Sequence, residues 1–313
     1  MTPALERYPT NPLLTPTTNW WECQAVFNCG AANYKGQVYL LYRAVGQDGA
    51  SRFGLAVSRD GVTIAERRTV PVFEPDPENH YEQCGCEDPR ITPLEGVYYV
   101  TYTAASLYPT VAATVPTEAP WRTRVAMLRT TDFKTFERLG LVFQDEIDDK
   151  NAALFPEKIG GRYFMFHRRN LEIILAASPD LVHWEAQGAV LKPATSGWTN
   201  DRVGIGAPPV RTELGWLIIF HARDKQGVYR LGAFVVDLVD PRHIVAMLPE
   251  PLLEPHETYE RDGLVSNVVF TCGMVERGGD YLVYYGGADR VVGGARISRD
   301  ALLSALQRVA RKG

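Results

Sequence analysis

With 313 residues, 45% of them hydrophobic, the chain can bury two ordinary cores or one large β or α/β core. Its formal net charge of −4, with Lys and Arg scattered along the chain, excludes nucleic acid as the main partner. No apolar run approaches the roughly 20 residues of a membrane helix, and the opening "MTPALERYPTNPLL" lacks a charged-then-apolar leader, so no membrane partner and a cytoplasmic setting are expected.

From the N-terminus, one pattern recurs: an apolar strand, a glycine, a second and a third apolar strand, and an Asp-led turn. It is first written as "QAVFNCGA", "YKGQVYLLYRA" and "RFGLAVSRDGVTI". It returns as "EDPRITPL", "LEGVYYVTYTA" and "RVAMLRTTDFKTF", and again as "NAALFPEKI", "IGGRYFMFHRR" and "EIILAASPDLVHW". The fourth copy is "IGAPPVRT", "ELGWLIIFHAR" and "YRLGAFVVDLVDP"; the fifth is "VVFTCGMVE", "RGGDYLVYYGG" and "VVGGARISRD". The glycines Gly36, Gly96, Gly160, Gly215 and Gly279 are 60, 64, 55 and 64 residues apart. The Val, Tyr, Phe and Ile content marks strands. "SRDALLSALQRVARKG" closes the chain with leucines at helical spacing and Ser298 or Asp300 as its cap.

Repetition at this period, in strands, predicts an all-β fold: a five-bladed β-propeller with a short C-terminal helix, one domain over residues 1–313. A two-sheet sandwich would account for the strands but not for their spacing. The odd count of five cysteines (Cys23, Cys29, Cys84, Cys86, Cys272) is no disulfide framework, and none has a partner pair at zinc spacing, so no metal is expected.

In a propeller, function sits where equivalent segments converge at one mouth of the channel. Polar residues there would be Asn28, Arg43, Asp88, Arg90, Lys150, Asn151, Arg168, His221, Asn267 and Asp289, with Asn28, Asp88, Lys150 and Asn267 at similar places in their copies. Asp88, in "CGCEDPRI", is held extended by Pro89. It is either a turn residue paired with Arg90 or a general acid with a raised pKa, as glycosidic cleavage requires. Opposite it the candidates are cationic: Lys150, Arg168 and His221, with Arg169 and Tyr229 beside them. Such a cluster suits an oxyanion better than a carboxylate base. Asp289, in "YYGGADRVVG", would hold sugar hydroxyls or cap a turn. Trp20, Trp21, Tyr102, Tyr108 and Trp121 would stack on sugars or pack the strands.

The pieces "VFNCGAA", "LLYRAVG", "CEDPRIT", "KNAALFPEKIGGRYFMFHRR", "GIGAPPV", "VYRLGA", "YERDGLVSNVVFTCG" and "YYGGAD", in this order, resemble glycoside hydrolase family 130, the mannoside phosphorylases and related mannosidases. The chain departs from that family's usual pattern at Cys29 and at "HRRN". The resemblance implies a five-bladed propeller with Asp88 as catalytic acid, and Asn28, Arg43, Asp289 and Arg52 on the mannosyl unit. It places phosphate on Lys150, Arg168, His221 and Tyr229; Arg90, Asn151 and Asn267, from their mouth positions, are further substrate-facing candidates. The activity implied is inverting phosphorolysis of a β-1,2- or β-1,4-mannooligosaccharide. Inorganic phosphate would be co-substrate, with no metal or organic cofactor, and a homo-oligomer is left open. The alternatives are a β-mannosidase using Glu157, Glu260 or another mouth carboxylate as base, and a non-catalytic sugar-binding propeller. The segment 106–121 is expected to shape the acceptor side.

Overall fold

The computed structural model describes residues 3–107 and 121–311. Most of the expected 106–121 segment, with Tyr108, lies outside the described residues. The protein is nearly all β, arranged as consecutive antiparallel meanders. The first contains β2 (Ala25–Tyr34), β3 (Gln37–Val45), β4 (Ser51–Ser58) and β5 (Ile64–Arg67). The second contains β6 (Gly85–Leu94), β7 (Val97–Leu107), β8 (Trp121–Thr130) and β9 (Glu137–Leu141). The third contains β10 (Lys150–Leu154), β11 (Tyr163–Arg169), β12 (Glu172–Ser178) and β13 (Glu185–Leu191). The fourth has β14 (Arg202–Ile205) and β15 (Val210–Thr212), both pairing with β16 (Gly215–Arg223), then β17 (Tyr229–Val236) and β18 (Ile244–Met247). The fifth has β19 (Val269–Arg277), β20 (Asp280–Gly287) and β21 (Val291–Ser298), and its outer strand is β1 (Glu6–Arg7), supplied by the other end of the chain.

Local chemistry explains the repeats. Lys35–Gly36, Glu95–Gly96, Gly160–Gly161 and Gly278–Gly279 all have positive φ at both positions, as the two-residue hairpin turn that matches strand twist requires. The fourth copy breaks the rule. Its turn is Glu213–Leu214, and Gly215 is instead the first residue of β16, where a Cβ would stand 2.2 Å from the Val236 carbonyl oxygen. The Asp-led turns are equally regular. Asp60, Asp132, Asp180 and Asp237 each accept two backbone N–H groups from the residues that follow.

Hydrophobic clusters lie between neighbouring meanders. One joins the first and second, one the second and third, one the third and fourth, and one the fourth and fifth. A further cluster packs the fifth back onto the first, with Val26 and Tyr42 against Tyr284 and Val292. The first and second meanders also meet through one parallel pairing, Ser51 with Gly85. α2 (Arg299–Ala310) is capped by Ser298, whose Oγ accepts from the Ala301 N–H, and it buries Leu302, Leu303 and Leu306. The short α1 (Thr258–Arg261) was not expected from the sequence. All five cysteines are free. Among the described residues, no helix is long and apolar enough to cross a membrane.

Candidate active site

The site grows from one irregularity repeated in the first strands. β2, β6 and β10 each shift register against their partner, between Phe27 and Gly30, Glu87 and Arg90, and Lys150 and Ala153. Each bulge contains one left-handed residue: Asn28 (φ 45°), Asp88 (φ 52°) and Asn151 (φ 55°). Asn and Asp tolerate that conformation better than other side chains with a Cβ. A bulge re-aims a side chain that regular alternation would bury in the sheet. Pro89 thus follows a left-handed residue, and the extended Asp88 expected from it is corrected. The equivalence of Lys150 with Asn28 and Asp88 also shifts by one: Asn151 is their counterpart, and Lys150 matches Phe27 and Glu87.

The three bulges open on a cavity of about 270 Å³. Asn28, Arg43, Asp88, Lys150, Asn151, Arg168, Tyr229 and Asp289 all line it, from four of the five meanders and the turn after β20. Charge is sorted across this space. On one side Asn28 Nδ2 donates to Asp88 Oδ1 at 2.9 Å, and Arg43 bridges Asp88 Oδ1 at 3.3 Å and Glu87 Oε1 at 2.6 Å. Arg43 is fixed in turn by Ser51 Oγ, which accepts from its Nε at 2.9 Å, and by stacking on Phe27. On the other side Lys150 and Arg168 start from directly paired positions of β10 and β11.

Burial pushes the Asp88 carboxyl up, but Arg43, Arg90, the Asn28 hydrogen bond and Lys150 outweigh it and hold it below its ordinary value. The raised pKa expected for Asp88 is therefore corrected. Burial does prevail at Glu87, which is pushed up against the opposing pull of Arg43. It prevails also at Asp289, which is pushed up to about 6 with Asp88 and Glu87 adding to the rise. Lys150 is brought down to about 8 by burial and by Arg168.

Other candidates lie elsewhere. Arg90 is buried and donates to the carbonyls of Gly206, Asp88 and Ile205 at 2.8, 3.0 and 2.9 Å, so it clamps backbone and does not line the cavity. Arg52 forks onto Asp48 and stacks on Trp20, away from the cavity lining. Asn267 is an exposed loop residue whose carbonyl accepts from the Tyr229 N–H. His221 stands behind the lining: Asn151 Nδ2 lies 2.8 Å from its Nε2, and its ring stacks on Phe270 with centroids 3.8 Å apart. Burial, with Arg90, Arg168 and Lys150 nearby, keeps that imidazole neutral, so the cationic role expected of it is corrected. Arg169 turns outward onto Asp145 and Asp149. Trp21 and Tyr102 are packing residues that donate to the Thr69 carbonyl and to Glu82.

Neither Glu157 nor Glu260 lines this cavity. Glu157 pairs with Arg211 on the surface. Glu260 is buried under Arg7 and Tyr285. Three charged lining residues escaped the sequence reading: Glu87, next to Asp88, and the pair Arg202 and Arg223. Their signal was faint, since "NDRVGIG" and "HAR" resemble ordinary strand ends. No metal-holding group of three or more His, Cys, Asp or Glu occurs among the described residues.

Comparison with known proteins bears on what this geometry does. The sequence model of glycoside hydrolase family 130, described as β-1,4-mannooligosaccharide phosphorylase, matches residues 5–308. A 1,2-β-oligomannan phosphorylase of Thermoanaerobacter sp. (strain X514) is 40% identical over 297 residues, 92% of this chain and 95% of that protein. A β-1,2-mannobiose phosphorylase of the same organism is 37% identical over 311 residues, 95% of this chain and 98% of that protein. The solved β-1,2-mannobiose phosphorylase of Listeria innocua, in complex with β-1,2-mannobiose, superposes with a TM-score of 0.84 at 28% identity, covering 97% of this chain and 99% of that one.

Proposed function

The chain belongs to glycoside hydrolase family 130, and from that premise we propose that it is an inverting β-mannoside phosphorylase. It converts a β-mannooligosaccharide and inorganic phosphate into α-mannose 1-phosphate and the shortened acceptor. The observation that carries this reading is the sorted cavity: Asp88 on one side, and Lys150 with Arg168 on the other. Phosphate held by those cations attacks the anomeric carbon from the face opposite the departing sugar. The glycosidic C–O bond breaks as the new C–O bond forms, and the departing oxygen takes a proton delivered from Asp88. Positioning and a fixed field supply most of the rate.

An Asp88 carboxyl held low by Arg43, Arg90 and Lys150 agrees with this role. A bound phosphate dianion cancels the field of Lys150 and Arg168, and a bound sugar excludes water. Both changes raise the carboxyl toward the protonated form. Asn28, Arg43 and Asp289 hold the mannosyl unit on the acidic side, and Tyr229 joins the phosphate side through its hydrogen bond with Arg168. Arg90 and His221 act behind the lining.

The favoured linkage is β-1,2. The relatives at 40% and 37% identity carry that name, whereas the β-1,4-mannooligosaccharide phosphorylase of Ruminococcus albus is 29% identical. The same reading takes the meanders as five blades of one propeller domain. Support comes from the clusters packed between every neighbouring pair, fifth onto first included. A charged sugar phosphate cannot diffuse through a bilayer, which suits the expected cytoplasmic setting.

The test is incubation with β-1,2-mannobiose, with and without phosphate. Disaccharide loss and mannose 1-phosphate appear only with phosphate; equal mannose release in both tubes rejects phosphorolysis.

A further inference from the structure

The chain leaves two of its six tryptophans exposed, Trp20 and Trp121, and both stand at the mouth end of the first two meanders. Trp121 opens β8, and Trp20 lies on the turn after β3, where its carbonyl accepts from the Gln47 N–H at 2.9 Å. Tryptophan is highly buried on average, so a ring left 51% exposed at position 20 calls for a reason. It is not a loose side chain. The Arg52 guanidinium stacks on it, 4.8 Å from a ring centroid. Arg52 is itself buried and tied down: it donates to both Asp48 oxygens at 3.1 and 2.5 Å and to the Ala50 carbonyl at 3.3 Å, with Glu74 at 3.4 Å. A fixed cation thus takes one face of the indole, and the other face looks to solvent.

The platform borders the acidic side of the cavity. Ser51, next to Arg52, accepts from Arg43 Nε and pairs with Gly85 in β6, just ahead of Glu87 and Asp88. An acid at Asp88 has to face the departing oxygen, so the acceptor leaves over this side, away from Lys150 and Arg168.

We propose that Trp20, held on Arg52, is a stacking platform for an acceptor-side sugar ring beyond the cavity, so that the protein favours mannooligosaccharides longer than the disaccharide. The inference rests on the phosphorolysis reading above. The C–H face of a pyranose is apolar and slightly positive, which suits the negative face of an indole. A ring already immobilised by Arg52 loses little further freedom on binding. The arrangement also accounts for Arg52, which stands behind the platform and not on the mannosyl unit.

Trp20→Ala and Trp20→Phe test it, read against β-1,2-mannobiose and β-1,2-mannotetraose. In the alanine variant KM for the tetrasaccharide is expected to rise roughly three- to tenfold, the scale of one lost ring contact. KM for the disaccharide rises far less, kcat changes less than KM, and Trp20→Phe recovers most of the loss. An unchanged tetrasaccharide KM overturns the proposal. So does an equal rise for both substrates, which moves the contact to the ring beside the broken bond. A phenylalanine variant as impaired as the alanine one, with the same drop in melting temperature, also overturns it and marks a packing role. Calorimetric binding of mannotetraose in phosphate-free buffer reads the platform without turnover. A wild-type protein that binds the tetrasaccharide through Trp20 but forms no mannose 1-phosphate therefore counts against the proposed function alone.

Discussion

Asn28 Nδ2 donates a 2.9 Å hydrogen bond to Asp88 Oδ1 across 60 residues of sequence, joining the bulges of two neighbouring meanders. A donor of this kind favours the ionised carboxylate, so its removal raises the Asp88 pKa. With Asp88 as the proposed general acid, active when protonated, the basic limb of the kcat profile should move up. Asn28→Gly isolates the side chain, since Gly accepts the φ of 45° at position 28 while Ala adds about 1 kcal/mol of backbone strain. The expected shift is roughly one pH unit, recorded at saturating disaccharide and phosphate. A limb that stays in place, with activity retained, would remove Asn28 from proton control.

Asp88→Asn tests the acid itself. The amide keeps the shape and the hydrogen-bonding capacity but carries no transferable proton. A loss of about 10²- to 10⁴-fold in kcat is expected, with melting temperature and disaccharide affinity largely kept. Retention of substantial turnover would move the acid to Glu87 or Asp289, the other carboxyls lining the cavity.

As a proposed phosphate ligand, Lys150 should set an upper pH limit on phosphate binding. Its ammonium, brought down to about 8 by burial and Arg168, is charged below that pH and neutral above it. The free protein should thus bind phosphate progressively more weakly as pH rises through 8, measured by calorimetry. In Lys150→Met the affinity should be weak throughout and lack this step. Linkage gives a second readout. Between about 8 and the ordinary 10.5 the unfolded chain binds this proton more tightly than the folded one, so the Lys150 contribution to stability rises with pH over that window.

The repeats could be read from the sequence because their chemistry is local. Two-residue turns such as Lys35–Gly36 and Asp-led turns such as Asp60 carry the same residue types in copy after copy. The convergence of Asn28, Asp88, Lys150 and Arg168 followed from placing equivalent segments together. What sequence could not supply was the direction of each side chain. Inside a bulge the alternation of faces fails, so Lys150 was matched with Asp88 where Asn151 belongs. Arg90, two residues past Asp88, points into the β14 backbone because the bulge ends there. Strand β1 is two residues long and exists only because β21 offers it an edge.

Arg90 gives a stability prediction. Its guanidinium satisfies three carbonyl oxygens and has no equal in Lys, which cannot fork. Arg90→Lys should cost about 2–4 kcal/mol in chemical denaturation, the scale of buried acceptors left unmet. Activity per folded molecule should fall as well, because Ile205 and Gly206 follow directly on Gly204, which lies against His221 and Asn151.

Gly204 separates packing from backbone strain. A Cβ built there stands 2.4 Å from His221 Nε2 and 2.6 Å from Asn151 Nδ2, the two atoms that face each other at 2.8 Å. The position lies outside the left-handed region, so Gly204→Ala harms only through these contacts. His221 is pressed against Phe270 and cannot retreat, which leaves Asn151 to move into the cavity. Overpacking of this kind costs about 1–3 kcal/mol. The larger effect falls on kcat/KM for phosphorolysis, expected to drop by roughly tenfold or more for a misplacement of about 1 Å. Gly160→Ala is the control: nothing lies within 4 Å of its Cβ, but its φ of 56° makes the backbone pay. It should lose about 1 kcal/mol of stability with kcat/KM unchanged. If both alanines lower activity alike, the Asn151–His221 contact has no part in positioning the site.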